Sequence, residues 1–170
     1  MRWTRKLEAL GACEEAVEWA KESGHKTLAA AWAECPRGDW MLWLAGRVAG
    51  KPGSDSRRPL VLAACECARL TLPRFEERHP GDKRPRIAIE VTERWARGGE
   101  GAPSLEEVRS ASYAAYATYA YAVYAAYATY ADLYAAAAAH AAAYDARTET
   151  LSECADIVRK WYPKPPKEEA

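Results

Sequence analysis

The chain has no net charge: its 170 residues hold 24 Lys and Arg against 24 Asp and Glu. That balance leaves no basic field for a nucleic-acid backbone and no cationic surface for an anionic membrane. β-Branched residues such as Val17, Val61 and Ile89 are sparse, so a sheet lacks material. There is no Gly-rich phosphate loop, no dinucleotide fingerprint and no Gly-x-Ser-x-Gly elbow. His25, His79 and His140 are isolated, none at a helical ligand spacing from another His, Cys or carboxylate that forms a metal signature. No catalytic residue, metal site or cofactor is therefore expected. Cys65 and Cys67 would point about 200° apart on a helix, so they do not form a redox pair and read as small core residues. The five cysteines are odd in number, and the start MRWTRKLEAL lacks the apolar segment of a signal peptide; a reducing cytoplasm is the expected compartment.

What the chain does have is Ala and aromatic area. Thirty-seven residues are Ala, and 19 of these lie between Ala111 and Ala146 together with nine of the ten Tyr. Ala is the best intrinsic helix former, so the expected class is all-α. Seven Trp, ten Tyr and one Phe supply enough buried surface to exclude disorder. The length suits one domain, expected over 1–162, with a Pro- and charge-rich tail over 163–170 that frays.

Spacing and punctuation predict six or seven helices. The first runs from about Lys6 to Ser23 and carries Glu14, Glu15, Glu18 and Glu22 as a solvated acidic face. Thr27 caps a short helix over Leu28–Glu34, which Pro36 ends. Asp39 is expected to cap the next, Trp40–Val48, apolar on most sides and hence central. Another spans Arg57–Leu72, closed by Pro73, before a charged loop over 75–84. Pro85 opens a helix through Arg97 with Ile87, Val91 and Trp95 on one side. Arg37, Asp39 and Arg86 are expected to tie helix starts to loops. Trp19, Trp32, Trp40, Trp43 and Trp95 are expected to form a Trp-rich core.

Ser104 and Glu107 form a capping box at the head of a long Ala/Tyr helix, and a last helix follows over Glu149–Trp161. A continuous helix over 105–146 would measure roughly 60 Å, so it must protrude, bend or break, with Asp132 the best candidate for an internal cap. The segment Ser110–Ala131 carries no formal charge but is studded with Tyr hydroxyls, which argues against a membrane span. Tyr113-Ala-Ala-Tyr116-Ala-Thr118-Tyr119 recurs eleven residues later, almost three helical turns. Tyr113, Tyr116, Tyr119, Tyr124, Tyr127, Tyr130 and Tyr134 then fall in an arc of roughly 140°. Such an arc either roofs the core or forms a contact surface, and Tyr is enriched in binding hot spots.

Several stretches resemble the bacterial putative immunity protein (Imm-5-like) family, and the resemblance spans nearly the whole chain. It rests on Ala12-Cys13-Glu14-Glu15-Ala16 with Trp19, Ala31-Trp32-Ala33-Glu34-Cys35, and Arg37-Gly38-Asp39-Trp40-Met41-Leu42-Trp43-Leu44. It continues through Ala64-Cys65-Glu66-Cys67-Ala68-Arg69, Pro85-Arg86-Ile87-Ala88-Ile89-Glu90, Glu93-Arg94-Trp95-Ala96-Arg97-Gly98 and Leu105-Glu106-Glu107. The resemblance implies a small helical protein without catalytic residues that neutralises a cognate toxin by binding it. An inhibitor of a nuclease commonly carries excess negative charge, and this neutral chain argues against that kind of toxin. Two alternatives stay open: a scaffold that self-associates as a homo-oligomer through the Ala/Tyr helix, and a small-molecule pocket beneath the Trp helices.

Overall fold

The structure is a computed structural model that describes residues 3–51, 53–116 and 148–167. Gly11 decides its first feature. With φ at +83°, it ends α1 (Trp3–Ala9) in a Schellman turn: Ala12 N–H donates to Leu7 C=O and Gly11 N–H to Glu8 C=O, both at 3.0 Å. The chain reverses there and starts α2 (Glu14–Glu22), so the single helix expected over 6–23 is two. Eight α-helices and no strand therefore stand among the described residues, where the sequence predicts six or seven helices.

The next two helices are short and pinned at their ends. Thr27 Oγ1 accepts from Ala30 N–H at 3.2 Å at the head of α3 (Leu28–Glu34), as the sequence predicts. Its last carbonyls meet Arg159, whose Nη1 lies 2.9 Å from Cys35 C=O and 3.3 Å from Trp32 C=O. α4 (Gly38–Val48) begins two residues before its expected start, and Asp39 is not its cap. Asp39 sits inside the first turn, and the N-cap residue is Arg37. At the far end of α4, the fully buried Arg57 donates to Gly50 C=O at 2.9 Å, bringing a cation to the negative end of the helix dipole.

A 3-10 turn over Asp55–Arg57 leads into α5 (Arg58–Arg78), which runs on past Pro73 instead of ending there. An interior proline removes one backbone bond and costs about 3 kcal/mol. Tertiary contacts outweigh that cost. Leu72 is buried, and in the final turn Glu76 receives Arg86 Nε at 2.6 Å from the next helix, so the segment expected as loop is held helical. That next helix is α6 (Arg84–Arg97). Its inward face is Pro85, Ala88, Ile89, Thr92, Glu93, Trp95 and Ala96. Ile87 lies about 200° round the axis from Pro85 and is 49% exposed, so it does not share the core face with Trp95. Val91 is half-buried.

The Ser104 capping box is present: Glu107 N–H donates to Ser104 Oγ at 3.2 Å and Ser104 N–H to the Glu107 carboxylate at 2.7 Å. It heads α7 (Leu105–Tyr116). The rest of the Ala/Tyr segment, with the candidate break at Asp132, lies outside the described residues. α8 (Thr148–Trp161) closes the architecture. α7 packs on α6, α6 on α5, α5 on α8 and α8 on α4, while α4 also touches α5.

The centre of this packing is aliphatic and not Trp-rich. Leu42, Leu60, Val61, Ala63, Ala64, Cys65, Cys67, Ile89, Val108 and Val158 are sealed, with Trp32 and Trp95 beside them. Trp19, Trp40 and Trp43 are half-buried at the rim. A buried indole N–H needs an acceptor, and three of the Trp find one. Trp32 finds Tyr162 C=O at 2.9 Å, Trp3 finds His25 C=O at 3.1 Å and Trp161 finds Glu66 at 3.1 Å.

Candidate functional site

The turn at Gly11 and the break at Pro36 bring two helix starts together. The first turns of α2 and α4 face one cleft of about 520 Å³, lined by Gly11, Cys13, Glu14, Glu15, Ala16, Arg37, Asp39, Trp40 and Trp43. Its wall is an ordered ion network. Arg37 forks onto Asp39 through Nε at 2.9 Å and Nη2 at 2.7 Å, its Nη1 lies 3.6 Å from Glu15, and its guanidinium stacks 4.2 Å from the Trp40 ring centre. Trp19 packs against Trp40 with ring centres 5.9 Å apart. Asp39 is 2% exposed, and the fork gives each of its oxygens a charge-assisted partner. The hydrogen bonds that Arg37 donates to the Asp39 carboxylate hold the Arg37 pKa above its ordinary value. Arg37 and Asp39 thus tie one helix start, as the sequence suggests, but to each other and to Trp40. Glu14, Glu15 and Trp43 join the site although the sequence places the two Glu on a plain acidic face. The signal was Gly11 between two amphipathic halves.

α6 and α7 each expose one large apolar side chain. Tyr113 is 59% exposed and, with Ile87, is one of two large exposed hydrophobic residues among those described. Of the seven-residue Tyr arc, Tyr113 stands on the outside of α7. Tyr116 ends that helix, and Tyr119, Tyr124, Tyr127, Tyr130 and Tyr134 lie outside the described residues. Ion pairs brace α5 against α6. Arg69 of α5 forks onto Glu93 of α6 at 2.7 and 2.9 Å, and Glu93, itself buried, also has Arg97 at 3.6 Å. The Arg69 pair joins two of the blocks on which the family resemblance rests.

Chemistry-bearing side chains elsewhere are spoken for. His25 packs against Trp19 and stands 3.6 Å from Glu34, His79 packs on Phe75 with ring centres 4.8 Å apart, and His140 lies outside the described residues. No group of three His, Cys, Asp or Glu among the described residues could hold a metal ion. Burial pushes the Cys35 thiol up to about 11 and Cys65 higher still, which makes both poor nucleophiles. Cys67, whose thiol meets that of Cys154, is likewise raised. No helix of the described residues is long and apolar enough to cross a membrane.

No curated protein and no solved structure matches the chain. The family model described as Imm-5 like putative immunity protein matches residues 51–151, more than half of the chain. The match takes in α5, α6 and α7, with the Arg69–Glu93 pair and Tyr113. It starts after α4, so the earlier blocks of the resemblance, and the cleft they build, lie outside it. On that match the chain belongs to the Imm-5 like putative immunity protein family.

Proposed function

We propose that this protein is a non-enzymatic inhibitor that neutralises a cognate bacterial toxin by binding it directly in the cytoplasm, with the Tyr arc beginning at Tyr113 as the contact surface. Family membership is the observation that carries the reading. The 59% exposure of Tyr113 supports it, because an exposed Tyr ring offers a large rigid contact area at little entropic cost. The test is co-expression with the product of the gene immediately upstream, in a host that this product arrests. Restored growth together with a co-purifying complex is the expected result; arrest without a complex overturns the proposal. Tyr113→Ser should weaken the complex while leaving thermal unfolding unchanged. A dimer in light scattering that the same substitution abolishes would assign the arc to self-association instead.

A further inference from the structure

The cleft between the starts of α2 and α4 is not used by that contact surface, and its chemistry is specific. Three carboxylates, Glu14, Glu15 and Asp39, face one guanidinium, Arg37, which leaves two negative charges unbalanced. Each helix start contributes about half a positive charge, so roughly one negative charge remains at the mouth after both are counted. Asp39 is saturated by the Arg37 fork, whereas Glu14 and Glu15 are exposed. The floor is apolar. Ala16, Trp40 and Trp43 line both the cleft and a smaller cavity of about 50 Å³ behind it, which is walled by further Trp and aliphatic side chains. A carboxylate rim over an indole floor matches a group with a cationic head and an aliphatic stem.

We propose that this cleft receives an arginine side chain from an exposed loop of a partner protein, the guanidinium on the Glu14 and Glu15 carboxylates and the methylene stem against Trp43. Arginine fits better than lysine because a planar guanidinium can fork onto a carboxylate and stack on an indole at once. Arg37 already makes that arrangement within the chain, forking onto Asp39 while lying over Trp40. The partner role rests on the inhibitor reading above, but the cleft's preference for arginine can be measured without any toxin.

The experiment titrates the full chain with N-acetyl-L-arginine methylamide, and separately with N-acetyl-L-glutamate, following the indole N–H resonances of all seven Trp. The expected result is saturable movement of Trp40 and Trp43 with the arginine probe alone, weakened at least about fivefold in Glu14→Gln/Glu15→Gln. Both substitutions replace exposed groups, and an unchanged melting curve shows that the fold is intact. No saturation up to about 50 mM, an equal response to the glutamate probe, or undiminished affinity in the double variant overturns the site. In co-expression with a toxin that the wild type neutralises, the double variant should also weaken the complex. An unchanged complex there overturns the docking role while leaving neutralisation itself standing.

Discussion

Gly38 lies directly against Cys154, at the point where α4 begins beneath α8. A Cβ placed on Gly38 would overlap the Cys154 side chain and stand 2.6 Å from Ala155 N, closer than packed atoms allow. The neighbours are backbone, which cannot rotate away, so the glycine is required here for close approach and not for its backbone angles.

Gly38→Ala should therefore destabilise the protein by about 1–3 kcal/mol through overpacking. Gly81→Ala, where a Cβ meets nothing within 4 Å, is the control and should fall within about 0.5 kcal/mol of wild type. Urea denaturation of the two variants checks this; equal midpoints would show that α4 and α8 can separate freely.

Trp32 and Trp43 should differ although they belong to neighbouring helices. Trp32 is 3% exposed and bonds Tyr162 C=O through its indole, so Trp32→Ala should cost about 3–5 kcal/mol. Trp43 is half-buried at the cleft, and its truncation should cost roughly half as much. Chemical denaturation of both variants measures the ratio, and a larger loss for Trp43 would return it to the core.

Acid should loosen the junction between α5 and α6. The hydrogen bond from Arg86 holds the Glu76 carboxyl below its ordinary value of 4.5. A carboxyl with a depressed folded pKa stabilises the fold above its unfolded pKa, and that contribution is lost as the pH falls below about 4.5 through the folded value. Glu76→Gln should flatten this part of the acid limb in a series of melts between neutral pH and pH of about 3. An unaltered limb would mean that the pair does not persist in solution.

Thiol reactivity should single out one cysteine. Cys13 is exposed, and the other four are buried, Cys35 with its thiol pushed up to about 11. Ellman's reagent should titrate one thiol per native chain and all five after denaturation. A second fast-reacting thiol would reveal local opening of the core.

Much of the helix pattern follows from local chemistry, and the sequence alone determined it. Ala abundance and the lack of β-branched residues required helices, Thr27 and the Ser104–Glu107 box set two starts, and Pro36 set a stop. Each acts through bonds within a few residues, and at these positions no distant group opposes the local rule. The misses are those where a distant group outweighed a local rule. Pro73 should stop a helix, but Arg86 and the burial of Leu72 carry α5 past it. Asp39 is a good cap by type, yet Arg37 takes both its oxygens. Ile87 has the spacing of a core residue, but α6 buries the face that carries Pro85, Ala88, Ile89, Thr92 and Trp95, and Ile87 is left outside it. The arginine cleft depends wholly on tertiary structure. Its two walls come from residues 11–16 and 37–43, which no helical period connects and which meet only because Gly11 and Pro36 fold two helix starts toward each other.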